Sequence, residues 1–375
     1  MRKVYVTLAL LPVLLVGIFV AHKRFSEPVR IGYIACLSGR NAELGREGLK
    51  GVQFAIEEVN RNGGVGGREV QLVIADNHAS PQTAWKALDQ LLAADVDVLV
   101  GHMLSEMSVT TLQRVEEAGV VMISPTAASH KLSQRDDLFL RIYPDARVVG
   151  MKIADFASSI LNLSRLAVVY DRSNSAFSSD VHLAARARLA ELGSHVVAEV
   201  PFNGQALEMP YSRIIEQVAR SGAQGVLILA NPGDTALICQ QVAKQNLDVA
   251  LLAAEWSHSP QLHQLSGRTT ENLYMFQTLM ESDKSPAYQG FSQRFHERFG
   301  KPPWFASVHG FDATRMVLAG LERNRDARQL KQTLLGMGTF HGVQSLITLD
   351  EFGDAERSHY VQKVSSLSNA LVAML

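Results

Sequence analysis

Residues 30–76, RIGYIACLSGRNAELGREGLKGVQFAIEEVNRNGGVGGREVQLVIAD, read as one strand, helix and strand unit. Residues 31–35 are a short apolar strand, and Leu49, Val52, Ala55, Ile56 and Val59 then recur at the spacing of one helix face. Asn62, Gly63, Gly64, Gly66 and Gly67 end the helix in a tight turn, and residues 70–75 make a second buried strand. Such a unit pairs its strands in parallel through a right-handed crossover, and the carboxyl ends of those strands border a ligand crevice. Outward from it the alternation continues, with strands predicted at 96–101, 120–123, 166–170, 195–200, 226–229 and 250–253. Helices are predicted at 81–94, 105–117, 176–192, 210–221 and 234–245. The fold class is therefore α/β, with mostly parallel sheets flanked by helices.

A chain of 375 residues exceeds one ordinary core and suits two lobes. With 47% hydrophobic and 19% charged residues it has the composition of a packed globular protein. The net charge of −1 divides into +3 over the first 28 residues and −4 over the rest, which leaves no basic surface suited to nucleic acid. Residues 4–21 are uncharged and apolar behind Met1, Arg2 and Lys3, the pattern of an export signal or a membrane anchor. Ala21 suits a signal peptidase but Phe19 is too large, so both a released and a tethered chain stay open. Cys36 and Cys239 are read as small buried hydrophobes rather than a disulfide or a lipid attachment site.

Catalytic patterns are absent: there is no G-x-S-x-G, H-E-x-x-H or G-x-x-x-x-G-K-[ST], and the G-G-V-G-G run follows a helix instead of opening one. The histidines are scattered, and His258 with His263 lacks the spacing of a metal pair. No enzyme, cofactor or metal site is expected. The sequon at Asn162 is incidental.

Beyond the opening unit, V-L-V-G-H-M-L-S at 98–105, V-V-M-I-S-P-T-A-A-S at 120–129, F-L-R at 139–141, L-A-V-V-Y-D at 166–171, L-L-A-A-E-W at 251–256 and F-H-E-R-F-G-K-P-P at 295–303 follow in order. Together they resemble the periplasmic leucine/isoleucine/valine-binding protein family, the type I solute receptors of ABC transporters, over roughly residues 29–360. The resemblance implies a two-lobed fold crossed three times by the chain, near 143–147, 275–279 and 350–353. It divides the chain into a leader at 1–28, a first lobe at 29–145 and 277–350, and a second lobe at 146–276 and 351–375.

The same resemblance nominates site residues. Ser105 opens a predicted helix, where a hydroxyl caps free amides or, as in the family, receives a ligand carboxylate. The loop of Thr126, Ala127, Ala128 and Ser129 follows the next strand; the family has a threonine where this chain has Ala128, so Thr126 or Ser129 would supply the hydroxyl. Glu255, at a strand end, stands where the family holds the ligand's amino group. Two family tyrosines fall at about Ser175 and Asn231 and are missing, leaving Phe177 and Trp256 as aromatics able to rebuild an apolar wall. The expected protein is a monomeric extracytoplasmic receptor, in the periplasm or tethered there through residues 4–21, closing on a small polar ligand such as an amino acid or an amide-like relative. Its partner would be an ABC permease or, if tethered, a membrane sensor; an enzyme on the same scaffold is the remaining alternative.

Overall fold

Strand β1 (Val29–Ala35) is buried along almost its whole length, as a strand covered on both faces must be, and its apolar run needs no alternation. It pairs in parallel with β2 (Val70–Asp76) on one side and β3 (Val98–Gly101) on the other. Helix α1 (Ala42–Arg61) makes the crossover between β1 and β2 and stops at the glycine turn. Gly64 has φ +78°, and a Cβ there would lie 1.9 Å from the Arg68 carbonyl oxygen, so only glycine closes this turn. The computed structural model describes residues 27–206, 209–365 and 370–375. The expected leader segment at 4–21 lies outside the described residues.

Helices α2 (Pro81–Ala93) and α3 (Ser105–Ala118) lead on to β4 (Met122–Ser124) and β5 (Phe139–Arg141). These strands form a parallel sheet in the order β2-β1-β3-β4-β5. The chain then passes through α4 (Ala146–Asp155) into a second sheet that begins with β6 (Arg165–Asp171), α5 (Ser175–Glu191) and β7 (His195–Phe202). It continues with α6 (Tyr211–Arg220), β8 (Gly225–Leu229), α7 (Pro232–Lys244), β9 (Ala250–Ala254), α8 (Pro260–Ser266) and β10 (Tyr274–Gln277).

After β10 the chain returns to the first lobe with α9 (Pro286–Phe299) and α10 (Phe305–Arg323). Phe54 of α1 meets Phe291, Phe295, Phe299 and Phe311 with ring centroids 5.7–6.1 Å apart. Helices α1 and α10 touch backbone to backbone: a Cβ on Gly51 would sit 1.9 Å from the Ser307 oxygen. Helix α11 (Leu330–Met337) precedes a small antiparallel sheet of β11 (Thr339–His341), β12 (Leu346–Leu349) and β13 (Ala355–Glu356). Strands β14 (Tyr360–Lys363) and β15 (Ala370–Met374) then join the second sheet antiparallel, in the order β15-β14-β10-β9-β8-β6-β7.

Two ion pairs, each with a buried arginine, tie the third chain passage to the first and to α10. Arg141, at the end of β5, is 2.9 Å from Asp354, and Arg357, between β13 and β14, is 3.0 Å from Asp312 of α10. The molecule is thus a two-lobed α/β fold of mostly parallel sheets flanked by helices. Cys36 and Cys239 are both buried and unpaired, and burial pushes each thiol up to about 12. Among the described residues no helix is long and apolar enough to cross a membrane.

Candidate functional site

The carboxyl ends of β1, β3 and β4 in the first lobe open toward those of β6, β8 and β9 in the second. Between them lies a narrow cleft, part of it open to solvent. From the first lobe it is lined by Leu44 of α1, Met103, Leu104 and Ser105 around the start of α3, Thr126, and Phe305 of α10. Asn174, Phe177 and Trp256 line it from the second lobe, and Tyr143 from the passage between lobes.

Ser105 is the first residue of α3, and its hydroxyl oxygen accepts the Ala128 N–H at 2.9 Å, so the two loops support each other. Thr126 donates its hydroxyl to the Met103 carbonyl at 2.6 Å. Ala127 and Ala128 are buried beneath this wall, the Ala127 N–H donating to Ser124 Oγ at 2.9 Å. Ser129 instead reaches across to the second lobe: its hydroxyl and the His130 N–H both donate to one oxygen of Asp180, at 2.8 and 2.7 Å. Across the cleft, Trp256 stands edge-on to Phe177, with ring centroids 5.9 Å apart at 87°, in an arrangement aromatic quadrupoles favour.

Glu255 follows β9 but does not line the cleft. It is 1% exposed, and its oxygens accept the Thr278 N–H at 3.0 Å and the Thr278 hydroxyl at 2.9 Å, with the Tyr143 hydroxyl close by. Burial raises its pKa, while these donors and the nearby His258 oppose the rise. Ser175 bonds Ser179 within α5, at 3.1 Å. Asn231 caps α7 by accepting the Asp234 N–H at 3.0 Å and donates to the Asp234 carboxylate at 2.7 Å. Of the nominated residues the structure thus brings Ser105 and Thr126 onto the wall with Ala128 behind them. It places Ser175, Asn231 and Glu255 off the wall.

Sequence reasoning missed Asn174 and Glu106, which join the two lobes. The Glu106 N–H donates to Asn174 Oδ1 at 3.1 Å, and the Ala176 N–H donates to the Glu106 carboxylate at 2.8 Å. Each helix start, α3 and α5, is thereby capped by a side chain of the other lobe. A further bridge joins Arg40 of the first lobe to the buried Asp234 and to Tyr211 of the second. The asparagine before a predicted helix start was the one signal in the sequence. Among the described residues no group of three or more His, Cys, Asp or Glu is arranged to hold a metal.

Comparison with known proteins agrees with this geometry. The chain is 21% identical over 339 residues, 90% of its length and 89% of the relative's, to a leucine-, isoleucine-, valine-, threonine- and alanine-binding protein of Pseudomonas aeruginosa. Its structure is similar to that of a leucine-binding protein of Thermotoga maritima, with a TM-score of 0.86 and 24% identity over 92% of this chain and 98% of that one. It is also similar to a solute-binding protein of R. palustris solved with benzoate, with a TM-score of 0.84 and 17% identity over 92% of this chain and 96% of that one. A family model described as periplasmic binding protein matches residues 28–369, and the chain belongs to that family, in its leucine/isoleucine/valine-binding type.

Proposed function

We propose that this protein is an extracytoplasmic solute receptor that closes its two lobes on a small organic acid, of the amino-acid class or a close analogue, and presents it to an ABC permease. The observation that carries the reading is the cleft itself. Both lobes contribute to its wall, and the Glu106 and Asn174 pair spans it, so a solute on that wall touches both lobes only when they meet. The Ser105 hydroxyl and the start of α3 favour a negatively charged head group, and the apolar wall favours a hydrocarbon body. The binding proteins to which the chain is similar support a transport role. No nucleophile and base stand together on the cleft wall, which argues against an enzyme.

A tethered receptor reporting occupancy to a membrane sensor is the second reading, favoured by the uncharged stretch at 4–21 and by Phe19 at the cleavage position. The primary reading is tested by thermal shift of the purified protein against amino acids, amides and carboxylates. A solute at about a hundred times its Kd should raise the midpoint by about 5 °C. A flat response across the whole panel would remove the receptor reading.

A further inference from the structure

We propose that the solute is an amine-free monocarboxylate with an apolar and preferably aromatic body; this rests on the receptor reading above and names its ligand class. None of the ten residues on the cleft wall is charged. An ammonium group enclosed there would meet no carboxylate, and an unpaired buried charge is among the costliest groups to desolvate. Glu255, the carboxylate that the family resemblance assigns to an amino group, is 1% exposed and already accepts two hydrogen bonds, from the Thr278 N–H and the Thr278 hydroxyl. On the cleft wall beside it stands Tyr143, an uncharged group in the place a ligand-facing carboxylate would take.

Donors are what the wall offers instead. Trp256 lines the cleft, and its Nε1 is buried with no acceptor. The oxygen of Ser105 is taken by the Ala128 N–H, which leaves its O–H to donate. Asn174 has its carbonyl oxygen taken by the Glu106 N–H, which leaves its amide hydrogens. A carboxylate accepts several such bonds through two oxygens, whereas an ammonium accepts none. Leu44, Met103, Leu104, Phe177 and Phe305 make up the apolar remainder, and the Phe177 and Trp256 rings, packed edge-to-face on each other, give a flat apolar body an aromatic surface to lie against.

Calorimetry on the full chain tests this with matched pairs: 3-phenylpropanoate against phenylalanine, and 4-methylpentanoate against leucine. The amine-free member of each pair should bind about tenfold more tightly or better, and Trp256→Phe, which keeps the ring and removes the donor, should weaken that binding by about tenfold. Leucine or phenylalanine binding as tightly as its amine-free partner would overturn the ligand class and leave the receptor reading standing. Binding of some other solute from the thermal-shift panel but none of these four would do the same. No binding of any solute would overturn both. Full affinity retained in Trp256→Phe would refute the role of Nε1.

Discussion

Replacing Glu106 with alanine should loosen the closed arrangement without unfolding either lobe. The carboxylate of Glu106 accepts one backbone N–H, that of Ala176, at 2.8 Å across the cleft, while its own N–H bonds Asn174 independently of the side chain. A hydrogen bond to a charged group is worth about 1.5–3 kcal/mol net, and because Glu106 is only half-buried, solvent screening reduces this to about 1–2 kcal/mol here. The bond exists only while the lobes are together, so its loss falls on the closure equilibrium. That equilibrium should shift about 5- to 30-fold toward the open form, and apparent ligand affinity should fall by up to the same factor. Spin labels on α3 and α5 would read the opening as a longer distance distribution in the ligand-free protein, and calorimetry would read the affinity. Asn174→Ala, alone and combined with Glu106→Ala, completes a double-mutant cycle on the closure equilibrium, and because the two side chains bond separate backbone amides their costs should add. Distances and affinity both unchanged in Glu106→Ala would refute the idea that this pair holds the lobes together.

Further outcomes follow from the packing and the charges. Burial opposes the charge on His258, but Glu281 at 3.0 Å, with Glu255 and Glu43, outweighs it and raises the pKa. The stability His258 contributes is therefore complete below the ordinary histidine value of about 6.5 and is lost as pH rises through the raised value. Urea unfolding should show that decline, and His258→Asn should flatten it; an identical pH slope in the variant would count against the charge assignment. Gly51→Ala forces α1 and α10 apart, and should cost about 2–3 kcal/mol in the same urea measurement. A loss below about 0.5 kcal/mol would mean that the helices shift freely. Sequencing the N-terminus of protein from its native host separates the two readings of residues 4–21: their retention in the membrane fraction supports the tethered receptor, and a periplasmic chain beginning near His22 rules it out.

The first lobe was legible because its strands carry apolar runs, buried almost throughout in β1 and β3, although the edge strand β2, expected to be buried, leaves Gln71 and Ile74 exposed. Apolar runs at 31–35, 70–75 and 96–101 stand out without alternation, and the observed β1, β2 and β3 begin and end within two residues of them. Past residue 254 the same reasoning placed no element. Helix α10 shows why: fifteen of its nineteen residues are buried, among them Ser307, His309, Asp312 and Thr314, so it has no polar face for a 3.6-residue period to reveal. Strands β11 to β13 are two to four residues long and take their shape from each other rather than from any run of their own.

The site was legible to the extent that its residues follow a strand end, and illegible where a distant partner decides what faces the cleft. Ser105 and Thr126 are fixed by the loops after β3 and β4, within twenty-five residues of each other, and local order is enough to nominate them. Glu106 is one residue from Ser105, yet its partner is Ala176, seventy positions away on the other lobe, and no periodicity connects them. Glu255 is the sharper case, because its position after β9 is what a ligand-facing carboxylate would have. Thr278, in the second passage between lobes, supplies two donors to it, and Tyr143, at the first passage, takes the place on the wall. A carboxylate with two donors and almost no exposure has little left to offer an ammonium group, whereas the indole of the next residue, Trp256, keeps an unused donor. In this chain the identity of the ligand's polar group is therefore written less in the residue at the strand end than in which of its neighbours the two passages have already occupied.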